Sequence, residues 1–263
     1  MNRRVFVSLA LALAVSFCCC EAQAKSKKKK TPKTDAPKYL VNPYANPSGD
    51  PSLPNVLLIG DSISIGYTIP VRKLLAGKAN VFRPSVNCRY SSYGVEKVKS
   101  WLGKRKWDVI HFNWGIWDTH CLREGKLVRG HQEHKYPPEE LKIRCSETEY
   151  IENLKKILPV LEATGAKLIW TSTTPVLSRP KKRIEDIPRY NRLAARLMQK
   201  RGIPIDDLYG FVLPNVDKWQ TEDRCHYNKL GCEKLGEQVA GQIEEALRQR
   251  AVGSKQRAEG SKQ

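Results

Sequence analysis

The residues that could do covalent chemistry lie at the two ends of one stretch of chain. Near its start, Leu57-Leu58-Ile59-Gly60-Asp61-Ser62-Ile63-Ser64 runs from an apolar segment into Gly-Asp-Ser. A strand ending this way at the C-terminal edge of a sheet presents a serine hydroxyl to solvent. The Ser62 amide then lies at the start of the next helix, where backbone donors and the helix dipole stabilise an anion. Alone, Gly-Asp-Ser is also a plain N-cap or turn sequence. Near the other end lies Asp223-Arg224-Cys225-His226. An acid three residues before a histidine on a loop can fold back onto one ring nitrogen and leave the other free as a general base. Ser62, His226 and Asp223 together make a nucleophile, a base and an orienting group.

Such a set needs a scaffold that brings the two ends together. Between 55 and 247, short apolar runs alternate with helical patterns, which predicts parallel strands joined by crossover helices and covered on both faces. Five strands are expected, at 56–59, 80–82, 109–112, 167–171 and 204–206. Ser146 and Glu149 have capping-box spacing ahead of Ile151, Leu154, Ile157, Leu158 and Leu161, which recur at helical period until Gly165. Tyr190, Leu193, Ala194 and Leu197 repeat the pattern, as do Leu235, Val239, Ile243 and Leu247. Residues 119–145 break it: they are polar, rich in His and charge, and contain Pro137-Pro138. A connection of that length following a strand end is expected to border the active crevice as a substrate-side loop.

At this point the chain resembles the SGNH hydrolases, also called GDSL-type esterases and lipases. Three matches carry the resemblance, which spans 55–247. They are Gly60-Asp61-Ser62 after the first strand, the strand at 108–112 running into Gly115-Ile116-Trp117-Asp118, and Asp223-x-x-His226 before the last helix. The resemblance implies a flavodoxin-like three-layer α/β/α sandwich. It implies Ser62 as nucleophile, His226 as base and Asp223 as the orienting acid, with no metal or organic cofactor.

Two departures affect the expected oxyanion site. The family's third block normally carries an oxyanion-binding Asn where this chain has Trp117; Asn113, on the same strand parity as Gly115 and Trp117, is the nearest substitute. It could equally do no more than satisfy backbone groups at the strand end. The second block normally supplies a glycine amide; here the segment is Asn87-Cys88-Arg89-Tyr90-Ser91-Ser92-Tyr93-Gly94, and the Arg89 amide can fill that place. The expected oxyanion donors are therefore Ser62, Arg89 and Asn113. Trp114 and Trp117 are candidates for stacking on a sugar or for packing, and His120, His131 and His134 for the crevice or for solvent. His111 reads as strand packing, and Tyr190 and Asn191 as helix packing and capping.

At 263 residues the chain is too short for two full-sized domains, so one is expected. Residues 1–24 read as a secretory signal peptide: Arg3 and Arg4 precede an apolar run, and Ala22-Gln23-Ala24 follows as a cleavage site. Lipidation at Cys18-Cys19-Cys20 is the competing reading. Export to a periplasmic or extracellular location follows, without a transmembrane segment. Much of the +19 formal charge lies outside the domain: residues 25–40 hold seven Lys against one Asp, and 248–263 five basic residues against one Glu. The expectation is a Lys- and Pro-rich disordered lead-in at 25–54 and a basic disordered tail at 248–263. Nucleic acid is not an expected partner.

The five cysteines beyond the leader allow two bridges, with Cys121–Cys145 and Cys225–Cys232 as candidates and Cys88 left over. No paired Cys-x-x-Cys supports a zinc site. The functional expectation is an exported serine esterase acting on carboxylic esters, with O-acetylated carbohydrate as the favoured substrate and an anionic polymer favoured by the basic body. The alternatives are a glycan-binding module without turnover and an O-acyltransferase using the same triad.

Overall fold

The computed structural model describes residues 36–180 and 183–260; the signal peptide expected at 1–24 lies outside them. Its centre is a five-stranded parallel sheet of β1 (Asn55–Ile59), β2 (Asn80–Phe82), β3 (Val109–Phe112), β7 (Lys167–Thr171) and β8 (Ile205–Asp206), in the order β2-β1-β3-β7-β8. Strand β1 pairs with β3 from Val56 opposite Val109 to Ile59 opposite Phe112. All five expected strands form. These strands are nearly continuous apolar runs because both faces of the sheet are covered.

Alternation along β1 separates the two cores. Val56 and Leu58 pack with α1 (Ser62–Leu74) and α7 (Lys229–Gly260), through Tyr67, Val71, Leu235, Val239 and Ile243. Leu57 and Ile59 face the opposite layer of α2 (Ser91–Leu102), α3 (Glu147–Glu162) and α4 (Asp186–Lys200). The Ser146–Glu149 capping box starts α3 as its spacing predicts. Two short helices, α5 (Leu208–Val212) and α6 (Val216–Trp219), lead from β8 towards the loop that carries His226. The strand order reverses between β1 and β3, so their C-terminal ends open the crevice where ligands of such sheets bind.

Several expectations are corrected. Segment 119–145 is not an unstructured loop: it contains an antiparallel sheet of β4 (Cys121–Arg123), β5 (Lys126–Val128) and β6 (Lys142–Ile143), ordered β5-β4-β6. Arg183 anchors it, donating from Nη1 to Glu133 Oε1 at 2.6 Å and from Nε to Asp186 Oδ2 at 2.7 Å. Residues 36–54 are tied down rather than disordered. Buried Arg72 donates to Tyr39 O and to Asn46 Oδ1, and Asn46 Nδ2 donates to Arg83 O. The expected tail is helical as far as Gly260, supported by Ala, Arg and Gln residues that favour helix and by Arg248 and Gln249 donating back to Glu245. All five cysteines are free thiols, so neither candidate bridge is present. Cys121 Sγ instead accepts from Arg183 Nη1 at 2.7 Å, and Cys232 Sγ lies against Tyr227 O.

Candidate active site

The turn after β1 is built from tight backbone contacts. A Cβ at Gly60 would stand 2.9 Å from the Ser64 side chain, so a larger residue would push α1 off the strand end. Asp61 caps α1, its Oδ1 accepting from Ile63 N at 2.9 Å. Ser62 is the first residue of that helix, and its N–H has no acceptor within the helix. Burial pushes the Asp61 carboxyl up to about 6, against the opposing effects of the Ile63 N–H and of His226.

His226 reaches the same point from the far end of the chain. Its Nε2 lies 2.9 Å from Ser62 Oγ and its Nδ1 2.5 Å from Asp223 Oδ2. Asp223 Oδ1 meanwhile accepts from Cys225 N, His226 N and Thr221 Oγ1, which closes the loop into a rigid turn with Arg224 at φ 55°. Desolvation works against the charge on Asp223. The hydrogen bonds from His226, Thr221 and Cys225 outweigh it and hold the carboxyl well below the usual range. The arrangement can move a proton from the serine hydroxyl to the imidazole while a fixed carboxylate holds the ring.

The two further oxyanion donors expected from the sequence are engaged elsewhere. Asn113 Nδ2 donates to Thr171 O at 2.7 Å and to Thr173 Oγ1 at 3.1 Å, which spends both amide hydrogens on joining the ends of β3 and β7. Arg89, at φ 50°, donates its N–H to Asn87 Oδ1 at 2.9 Å in an exposed turn. Asp118 secures that turn from below. Its Oδ1 accepts from Ser91 N and Ser91 Oγ at the start of α2, and burial pushes the carboxyl up.

A cleft of about 310 Å³ opens beside Ser62 and His226, bordered by Trp117, His120, Arg129 and Arg179. His131 also borders it, whereas His134 does not. Trp114 is fully buried beneath Gly94 and donates to Cys88 O, so it cannot stack on a ligand. His111 is likewise buried, with Nε2 3.0 Å from Asp206 Oδ2. Tyr190 donates to Cys145 O, and Asn191 pairs with both backbone groups of Thr173. Arg129, Arg179 and Cys225 were not anticipated from sequence as parts of the cleft wall. Of these, Cys225 alone was legible, since it stands inside the Asp-x-x-His turn. No group of metal-binding side chains occurs among the described residues.

No family model matches the chain, and no curated protein matches it in sequence. Solved structures do match. The acetylxylan esterase Axe2 from Geobacillus stearothermophilus aligns with TM-score 0.58 at 15% identity, over 72% of this chain and 94% of its own. The lipase/acylhydrolase from Enterococcus faecalis aligns with TM-score 0.55 at 18% identity, over 73% and 96%. A GDSL-like lipase from Bacteroides thetaiotaomicron aligns with TM-score 0.54 at 16% identity, over 73% and 89%. The fold is that of the SGNH hydrolases. Within this SGNH scaffold, Ser62 and His226 occupy the C-terminal edge of the sheet, where the turn after β1 meets the loop before α7. No helix among the described residues is long and apolar enough to cross a membrane.

Proposed function

We propose that the protein is an exported serine esterase that removes small acyl groups, acetyl above all, from carbohydrate. The observation that carries this reading is the continuous chain of hydrogen bonds from Ser62 Oγ through His226 to Asp223. Ser62 attacks the ester carbonyl as His226 Nε2 takes its proton, and the imidazolium then protonates the departing sugar oxygen. Water attacks the acyl-enzyme by the same route in reverse. The tetrahedral oxyanion is met by the Ser62 N–H at the start of α1. The Arg89 N–H joins it when the oxyanion displaces the neutral Asn87 oxygen.

The carbohydrate half of the proposal draws on the half-buried Trp117 at the cleft and on the fold shared with acetylxylan esterases. Export rests on the leader sequence. The test is acetate release from acetylated xylan and p-nitrophenyl acetate by the purified protein and by Ser62→Ala. Release by the parent and loss of about 10³-fold or more in the variant supports the reading; equal rates would remove it. A glycan-binding role without turnover draws on the engaged donors of Asn113 and Arg89. It predicts no release from any ester, with glycan affinity retained in Ser62→Ala.

A further inference from the structure

The wall of the cleft beside Ser62 is cationic, and nearby carboxylates neutralise its charges only in part. Apart from Asp223, no acidic side chain lines the cleft among the described residues. Arg129 stands exposed at its rim without an ion-pair partner among those residues. Arg179 lies deeper, 5% exposed. Its Nη2 donates to Ile116 O and Thr119 Oγ1, but its Nη1 has no hydrogen-bond partner among the described residues. The nearest carboxylate oxygen, Asp186 Oδ2, is 3.8 Å away and already takes Arg183 Nε at 2.7 Å, while Asp186 Oδ1 takes Arg189.

Arg144 adds a further charge, its guanidinium 4.4 Å from the centre of the Tyr90 ring and 6.0 Å from that of Trp117. His120, whose ring is 5.3 Å from that of Trp117, senses the resulting field. Burial, then the charges of Arg179, Arg144 and Arg183, lower its pKa to about 3, so it stays neutral instead of adding another charge. The exposed guanidinium of Arg129 is free to take a charge-assisted hydrogen bond, and the buried charge of Arg179 behind it adds to the positive potential that favours an anion in the cleft.

Resting on the esterase reading, we propose that the cleft selects esters of acidic sugars: the alcohol half of the substrate carries a carboxylate, which Arg129 binds within the field of Arg179 and Arg144. The sugar ring lies along Trp117, with its acyl group directed at Ser62. A volume of about 310 Å³ is at the small end of ligand pockets and suits a sugar residue better than a long acyl chain.

The decisive substrates are a matched pair: an O-acetylated galacturonic acid oligosaccharide and the same oligosaccharide with its carboxyl groups reduced to alcohols. The parent should favour the acidic member in kcat/KM by about tenfold or more at low salt, as a charge-assisted hydrogen bond in a cleft implies. Arg129→Gln should bring that ratio towards one, mainly through KM. Lys104→Gln, which removes the same charge from an exposed site in the loop between α2 and β3, at the edge of the sheet opposite Ser62, should leave it intact. A ratio near one in the parent, or an equal fall in both variants, would overturn the proposal. Hydrolysis of p-nitrophenyl acetate reports on the esterase reading separately. If no ester is turned over, calorimetric titration of Ser62→Ala with deacetylated trigalacturonate still decides the matter. Binding that Arg129→Gln abolishes supports charge selection, and no binding refutes it.

Discussion

His226 Nε2 lies 2.9 Å from Ser62 Oγ across 164 residues of sequence. The contact exists because β1 ends at the crevice in the turn that starts α1, while the loop before α7 returns to the same edge. Replacing Asp223 by Asn keeps the shape of that loop but removes the charge that selects the ring tautomer. The expected loss in kcat is about 10³ to 10⁴-fold, read by steady-state kinetics on an activated acetate ester. Its hydrogen bonds keep Asp223 ionised well into acid, so loss of its charge does not shape the acid side of the pH profile. Asp223→Asn should therefore lower the acid limb of log kcat/KM without changing its shape, and a change of shape in that variant would show that the carboxylate titrates within the limb.

Asp61 gives a prediction for stability. Folded Asp61 keeps its proton up to about 6, whereas the unfolded carboxyl releases it near 3.8, so between those values the folded chain binds more protons. Its contribution to stability is thus highest below the window and falls as pH rises through it. Asn caps a helix as well as Asp does. Asp61→Asn should therefore be more stable than the parent at pH 8, by up to about 3 kcal/mol, and nearly equal at pH 4. Urea unfolding at both values checks this, and a gap independent of pH would contradict it.

Asn113 joins strand ends in this structure instead of facing the cleft. Asn113→Ala leaves Thr171 O without its donor, and should lower stability by about 1–3 kcal/mol. The folded variant should retain kcat within about tenfold, whereas removal of an oxyanion donor costs about 10² to 10³-fold. Kinetics well below the melting temperature separate the two outcomes.

Gly94 tests the layer beneath the site. A Cβ there would stand 2.7 Å from the Trp114 ring and 3.0 Å from Ile157, both in a packed core. Gly94→Ala is expected to cost about 1–3 kcal/mol despite the better helix propensity of Ala. A rise in thermal stability would show that α2 can shift freely over β3.

The sheet and the Ser62, His226 and Asp223 set were legible because each leaves a local mark: continuous apolar strands, and short motifs with fixed spacing. The small sheet of β4, β5 and β6 left none. Its strands are two or three residues long, and Lys126-Leu127-Val128 carries no alternation long enough to read. Arg179 was equally silent, since its role depends on Ile116 and Thr119, about sixty residues away in sequence. Asn113 was placed at the right strand end by parity. What parity could not tell is where its amide points once Thr171 and Thr173 arrive from β7. The lead-in at 36–54 looked like linker because its composition is linker-like; the buried Arg72 that binds it is far along the chain.

The most direct test of an activated serine is reaction with a fluorophosphonate probe followed by intact-mass and peptide mapping of the parent, Ser62→Ala and His226→Ala. The proposed relay predicts one adduct per chain, on Ser62, absent from Ser62→Ala and strongly slowed in His226→Ala. A folded parent that forms no adduct, or an adduct on Ser62 that forms as fast without His226, would contradict it.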